Sequence, residues 1–466
     1  MLQDTICAAA TPPGEGGVSV IRISGDEALS ALQKIFTPNG ADTENIFQPK
    51  PRYMHLGFVK NSQEEILDQV LAVYMPAPNS YTGEDVVEIQ CHGGYVVTQE
   101  IIKSLLNVGV VMAEPGEFTQ RAFVNGRMNL TQAEAVIDVI QAKSAEALKI
   151  SEKQLEGKLG QAVLAENDKL LDILAQIEVA VDYPEEELDI WENLGLTEKL
   201  NSAINAIDQL IKTADDGKIY REGLLTAIVG PANAGKSTLL NALLQEERAI
   251  VTDIAGTTRD TIEEYYNIKG VPVRLVDTAG IRETSDVVEA VGVERSRQKL
   301  AEADLVLLVW DATCDLDSKW RQIITESTNQ EFVFLLNKTD LLADDSEIQS
   351  KLSELNNEFT NIDVLPLAAK DNLGVEAVKE LIYQKAVSGR ISAESMVGLV
   401  NDRQKSALMR AKNHLKEAVS AYEMGIEGSM ISIDIQGAWE ALAEITGGVV
   451  SDDIITRVFS RFCLGK

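Results

Sequence analysis

The chain of 466 residues is poor in several residue types: it has four cysteines, three histidines and an aromatic content of 5%. Cys7, Cys91, Cys314 and Cys463 contain no CxxC pair. That scatter gives neither a disulfide framework nor a zinc site and fits a reducing compartment. Cys91 stands beside His92, but neighbours on a strand point to opposite faces, which argues against a shared metal. Long apolar runs are missing too. The best of them, such as LVLLVW, fall far short of the roughly 20 residues that span a bilayer. MLQDTICAAA lacks the basic, apolar and cleavage regions of a signal peptide, so a cytoplasmic protein with no membrane contact is expected. Positive charge is in deficit as well, with a formal net charge of -31. Coating of a polynucleotide by bulk attraction is thereby excluded, and any nucleic-acid substrate would need a local basic patch or a partner that carries the positive field.

What is present reads as a multidomain chain, the length matching about three domains. Short β-type runs, VSVIRIS, YMHLGFV, QVLAVYMPA and VVEIQ, alternate with turn-rich connectors and predict a compact α+β domain over 1–120. From Asn129 the pattern turns helical, with Thr131 and Glu134 at capping-box spacing ahead of Val136, Ile137, Ile140 and Leu148. This first helical stretch, 121–217, is broken by DYPEEELD, read as a solvated loop. Residues 218–380 switch to apolar strands alternating with helices, which implies a mainly parallel sheet wrapped by helices. Helical texture returns over 381–466. The α/β unit is therefore expected to be inserted into an all-helical domain whose two flanks pack together.

Inside the insert, Gly230, Gly235, Lys236 and Ser237 match G-x-x-x-x-G-K-[ST] between the strand LLTAIVG and the helix STLLNALL. Glycines let backbone N–H groups close around phosphate, Lys236 reaches the outer phosphates, and Ser237 can ligate magnesium. In NKTD, Asn337, Lys338 and Asp340 follow the strand FVFLL. A carboxylate there accepts two hydrogen bonds from guanine and none from adenine, so GTP is the expected nucleotide. DTAG (Asp277, Thr278, Ala279, Gly280) is the segment expected to orient magnesium and meet the γ-phosphate. Between these motifs TDIAGTTRD supplies Thr252, Asp253, Ile254, Ala255, Gly256, Thr257 and Thr258. Ala234 and Thr238 complete the expected nucleotide contacts. The unit is thus a Ras-like P-loop GTPase domain, with one departure: Ile281 stands where Ras-like enzymes carry a water-orienting glutamine, and it cannot hydrogen-bond water. Asn233 in the phosphate loop either holds a monovalent cation against the phosphates or merely stabilises the loop.

With these motifs in order, the chain resembles the MnmE (TrmE) family of tRNA modification GTPases. The resemblance rests on ATPPGEGGVSVIRISG, NSYTGEDVVEIQCHGG, EPGEFTQRAFVNGRMNLTQAEAV, GPANAGKSTLLNAL, DIAGTTRDTIEE, DTAGIRET, NKTD and the terminal FCLGK. It implies an N-terminal folate-binding and dimerisation domain, a helical domain and an inserted G domain. It further implies a homodimer whose G domains pair across the dimer with potassium and nucleotide. A flavoprotein partner, MnmG (GidA), would carry FAD, and the reaction would place an aminomethyl or carboxymethylaminomethyl group on C5 of a tRNA wobble uridine. By the same resemblance, magnesium is expected at Ser237 and Thr258, and potassium at Asn233, Thr252, Ile254 and Thr257. The water-positioning carboxylate would be Glu289, nine residues past Gly280. A 5-formyltetrahydrofolate or methylenetetrahydrofolate donor is expected at Arg22, Glu88, Arg127 and Lys466. Arg127 stands where some relatives carry lysine.

The alternative of a regulatory or ribosome-assembly GTPase acting as a binding switch would call for an RNA-binding appendage such as a KH-type loop, and none is found. The terminal RFCLGK also resembles a prenylation box, but it ends in lysine, with only Arg457, Arg461 and Lys466 as local basic groups, which argues against a lipid anchor. The tail is expected instead to fold back to the folate site, with Lys466 as a ligand and Cys463 near the reacting carbon. Cys463 would then be either a nucleophile or a packed thiol.

Overall fold

Along SVIRI in the β-type run GGVSVIRIS burial alternates residue by residue: Ile21 and Ile23 are fully buried, while Arg22 between them faces the other side of the sheet. The computed structural model in which this is seen describes residues 4–40, 47–182, 195–244, 264–277, 303–316, 321, 331–360, 362–388, 390 and 395–466. The expected acidic loop DYPEEELD falls almost wholly outside the described residues.

The N-terminal elements are β1 (Ile6–Ala9), β2 (Gly16–Ser24), α1 (Ala28–Ile35), β3 (Phe36–Pro38), β4 (His55–Lys60), β5 (Ile66–Met75) and β6 (Val86–Gly93), followed by α2 (Tyr95–Asn107), β7 (Val111–Met112) and α3 (Glu117–Val124). Their strands form one sheet in the order β3-β4-β5-β6-β2-β1-β7. Every pairing is antiparallel except β1 with β7. α1 and α2 cover one face, packing Leu32, Ile101 and Leu105 on Ile21, Ile23 and Ile89. A one-residue slip of β2 would carry Arg22 into that core, so the hydrophobic pattern fixes the register.

The helical body begins with α4 (Leu130–Gln141), α5 (Ala145–Leu155), α6 (Lys158–Asp182) and α7 (Leu196–Glu222). The cap of α4 differs from the expected Thr131/Glu134 box. Asn129, in extended backbone, caps the helix and exchanges hydrogen bonds with Gln132 at 2.9 and 3.0 Å. Thr131 is already helical, and Glu134 is left free for another role. Residue 218, the expected start of the inserted unit, lies inside α7, which runs on to Glu222.

The insert comprises β8 (Leu224–Val229), α8 (Lys236–Leu244), β9 (Glu264–Ile268), β10 (Val271–Asp277), β11 (Leu305–Asp311), β12 (Glu331–Asn337), α9 (Asp345–Glu358), β13 (Asp363–Pro366) and α10 (Val375–Val387). Residue 380 falls inside α10. The strand order is β13-β12-β11-β8-β10-β9, all parallel except β9, which pairs antiparallel with β10. LVLLVW in β11 is buried throughout, as a central parallel strand must be when both faces are covered. Leu305, Leu307 and Val309 join one core, and Val306, Leu308 and Trp310 the other. The first core also takes in Ile150, Ile219 and Leu399 from the flanking helical segments, so the insert is seated on its host domain.

The chain closes with α11 (Asp402–Glu423), α12 (Gly428–Thr446) and α13 (Asp452–Phe459). Leu415, Ile435 and Leu442 share a core with Leu170, Ile173 and Ile207 from the first helical stretch. The two flanks of the insert thus form one body.

Candidate functional site

The phosphate loop leaves the carboxyl end of β8 and enters α8, the place where ligands bind in open parallel sheets. Asn233 takes a left-handed conformation, φ 62°, with its side chain exposed. Gly235 has φ 100°, and a Cβ there would stand 2.1 Å from the Asn337 amide nitrogen. Glycine is required at that position on both counts. Lys236 Nζ donates to the carbonyls of Gly230 and Pro231 at 2.9 and 2.7 Å, so its stem arches over the loop. Ser237 and Thr238, in the first turn of α8, are exposed. Asp277 ends β10 in register with Ile228 of β8, one strand away from the loop.

The NKTD segment is tied to this loop by one side chain. Asn337, buried at the end of β12, donates from Nδ2 to the Ala234 carbonyl at 2.8 Å and accepts on Oδ1 from Ala369 N–H at 3.0 Å. Lys338, at φ 63°, pairs with Asp311 at 2.7 Å. Burial opposes ionisation of Asp311, but hydrogen bonds from Lys338 and Thr313 outweigh it and hold the carboxyl below its ordinary range. Asp340, in the turn that follows, is exposed at the same sheet end. Thr252, Asp253, Ile254, Ala255, Gly256, Thr257, Thr258, Thr278, Ala279, Gly280 and Glu289 lie outside the described residues, as does the Asp277 side chain.

A second cluster forms on the open face of the N-terminal sheet. Arg22 and Glu88 are cross-strand partners on β2 and β6, with guanidinium nitrogens 2.9 and 2.8 Å from Glu88 Oε1. The guanidinium also lies over the rings of Tyr81 and Phe118, 5.1 and 5.7 Å from their centroids. The C-terminal tail reaches this place. The backbone oxygen of Lys466 accepts from Phe118 N–H at 3.2 Å, and Gly465, φ 88°, leaves no room for a Cβ, which would be 2.2 Å from the Ala9 carbonyl. Burial lowers the Lys466 ammonium below its ordinary value, the nearby Arg22 charge lowers it further, and Glu88 and Cys463 push the other way. Arg22, Glu88 and Cys463 are therefore each within electrostatic reach of Lys466. Cys463 is exposed. Arg127 is held against Gly83, whose Cβ would sit 3.2 Å from Arg127 Cγ; its exposed guanidinium has no hydrogen-bond or ion-pair partner among the described residues.

Comparison with known families decides the relationship. The model for the MnmE helical domain matches residues 130–463, and that for the GTP-binding protein TrmE N-terminus matches residues 5–127. The chain belongs to the MnmE family. The MnmE match over 130–463 spans the α/β insert, as expected of a helical domain interrupted by a G domain. A protein of Thermoanaerobacter sp. (strain X514), named tRNA modification GTPase MnmE, is 44% identical over all of both chains. A protein of the same name from Lactiplantibacillus plantarum is 45% identical over 99% of this chain and 98% of its own. Among solved structures, Era from Aquifex aeolicus is 27% identical over 41% of this chain and 66% of its own, with a TM-score of 0.30. At that score the G-domain assignment rests on the motifs and the sheet.

Three parts of the sites in this MnmE chain escaped sequence reasoning. In LAAK, Ala369 N–H completes the Asn337 bridge. Its signal was its place directly after β13, at the carboxyl end of the sheet. Asp311, the Lys338 partner, likewise ends a parallel strand. The third is Arg121, 2% exposed and paired with Glu117 at 2.7 Å and Glu84 at 3.2 Å, which ties GEFTQR to the YTGED turn beneath Tyr81. Nothing in the sequence marks that pairing except the opposite charges.

Proposed function

We propose that this chain is a potassium-dependent GTP hydrolase that modifies C5 of the wobble uridine of certain tRNAs. It acts with a flavoprotein partner of the MnmG (GidA) type, which carries the FAD, and takes its one-carbon unit from a tetrahydrofolate. The observation that carries this reading is the return of the C-terminal tail to the Arg22–Glu88 pair, which gathers a thiol, an ammonium and an ion pair beside two aromatic rings. A folate suits such a place, because its ring system stacks on apolar surface and its carboxylates need cations. Arg127, exposed beyond Gly83, would reach the outer end of the ligand.

In the G domain, Asp340 is exposed where a guanine can be read, and Ser237 can ligate magnesium together with Thr258. The Asn233 amide, exposed in the loop, can hold potassium together with groups of Thr252, Ile254 and Thr257. These cations would supply positive charge against the phosphates, as an arginine does in other GTPases. Lys236 would bind the outer phosphates, and Glu289 would orient the attacking water in place of a glutamine. The domains are assigned as 1–120, 121–217, 218–380 and 381–466, in a homodimer whose G domains pair to activate hydrolysis. The protein is assigned to the cytoplasm; no described helix is long and apolar enough to cross a membrane.

Mass spectrometry of wobble uridines in cells lacking the chain tests the tRNA reading: uridine bare at C5 is expected, and full modification would overturn it. GTP turnover tests the cation reading. Turnover in potassium should exceed that in sodium by more than tenfold, Asn233→Ala should remove the difference, and equal wild-type rates would sink it.

A further inference from the structure

A cleft of about 720 Å³ opens between α4, α11 and α13, lined by none of the residues of the two sites described above, and it concentrates arginine in a chain of net charge -31. Five arginines line it: Arg221, Arg403, Arg410, Arg457 and Arg461. Three of them are committed to structure. Arg221 pairs with Asp138 at 3.3 Å, Arg403 with Glu134 at 2.8 Å and Arg410 with Glu444 at 2.6 Å. Arg457 and Arg461 are different: both side chains are exposed, and among the described residues neither has a hydrogen-bond or ion-pair partner. Two lining carboxylates remain. Glu222 faces Lys218 at 3.8 Å, and Asp402 sits in the first turn of α11, where the helix N-terminus favours its charge. Five carboxylates and five arginines line the cleft, and the two guanidinium groups at the end of α13 are those that have no ion-pair partner among the described residues.

Their spacing and position suggest the ligand. Arg457 lies in the last turn of α13 and Arg461 just past its end, and both line the cleft, so they present two forked donors to it. Arg461 is two residues before Cys463 and five before Lys466, on the segment that runs directly into the tail cluster. A strand whose base enters that cluster has this segment as a neighbour. We propose that this cleft binds consecutive phosphates of the RNA strand flanking the modified nucleotide, with Arg457 and Arg461 as the phosphate-contacting residues; this rests on the tRNA-modification reading above. The RNA is then held by a local patch although the chain as a whole repels polyanions.

The experiment uses the full chain with an unmodified tRNA transcript bearing uridine at the wobble position. Affinity is read by fluorescence anisotropy over a series of potassium chloride concentrations. For Arg457→Gln/Arg461→Gln, we expect roughly tenfold weaker binding and a salt slope lower by about two, one for each phosphate that is no longer neutralised. GTP turnover and tetrahydrofolate binding should be unchanged, and the Arg457→Lys/Arg461→Lys pair should keep most of the slope. Wild-type affinity and slope in the glutamine pair would overturn the proposal. So would retained tRNA affinity with lost binding of a flavoprotein partner, which would make the cleft a protein-docking surface. If the wild-type chain itself neither binds nor modifies tRNA, the underlying reading fails instead, so the two failures are distinguishable.

Discussion

Glu134 and Arg403 lie 269 positions apart and meet in a two-pronged ion pair, with Nε to Oε1 at 2.9 Å and Nη2 to Oε2 at 2.8 Å. Arg403 also donates to the carbonyls of Glu444 and Ile445 at 3.1 and 3.2 Å, and Gln404 Nε2 donates to Glu134 Oε2 at 2.5 Å. One carboxylate from the first helical stretch thereby organises two helices of the second. The inserted G domain is closed off at its base by this contact and by Gln154, which accepts from Leu399 N–H at 2.7 Å. Removing either partner of a largely buried pair leaves the other charge unpaired, so Glu134→Ala should cost about 3 kcal/mol of stability. Denaturant unfolding of the full chain measures this. A change below about 1 kcal/mol would show that the pair is dispensable.

Asn337 holds the phosphate loop to the LAAK segment through two hydrogen bonds. Asn337→Ala should weaken GTP and GDP alike by about 2 kcal/mol, roughly 30-fold in Kd. Asn337→Asp should fare no better, because it keeps the acceptor for Ala369 N–H but turns a second acceptor towards the Ala234 carbonyl. Titration with a fluorescent GDP analogue checks both, and near-normal affinity for the aspartate variant would discount the Ala234 contact.

For Lys466 the sign follows from its environment. Its ammonium is lowered below the ordinary 10.5 by burial and then by Arg22. Folding therefore disfavours the charged form at neutral pH, and that cost is relieved as pH rises through the lowered value towards 10.5. An anionic ligand accepting from Lys466 needs the protonated form, so tetrahydrofolate affinity should fall as pH rises through the same range. Lys466→Arg should hold the affinity level, since guanidinium stays protonated there. Equal pH profiles for wild type and Lys466→Arg would remove Lys466 as a ligand.

Thiol labelling separates the four cysteines. Burial pushes Cys7 up to about 12 and raises Cys91 as well, whereas Cys314 and Cys463 are exposed. Iodoacetamide on the native protein should therefore modify Cys314 and Cys463 and spare the other two. If Cys463 resisted labelling while Cys314 reacted, its place as an accessible thiol beside Lys466 would be wrong.

Nucleotide chemistry was legible because it is local. A phosphate loop needs glycine, lysine and a hydroxyl within eight residues, and GPANAGKS writes all three without help from distant residues. The alternation in VSVIRIS similarly fixed which face of β2 carries Arg22, and the change from period two to helical spacing marked the α+β, helical and inserted α/β textures. Helix starts were less legible. Thr131 was the expected cap, and only the backbone, extended at Asn129 and helical by Leu130, put the cap at Asn129.

The sequence by itself determined the GTPase motifs and the order of the domain textures, since both depend on residue type and spacing along a continuous stretch. Tertiary structure alone decided which charges meet. Glu134 finds Arg403, Asn337 joins Ala234 to Ala369, and Lys466 reaches Arg22 and Glu88 from the far end of the chain. The same packing decided which arginines have no side-chain partner among the described residues. Pairing is set by distance in space, and in a chain with 73 acidic and 42 basic residues any cation has many candidate partners until the fold selects one.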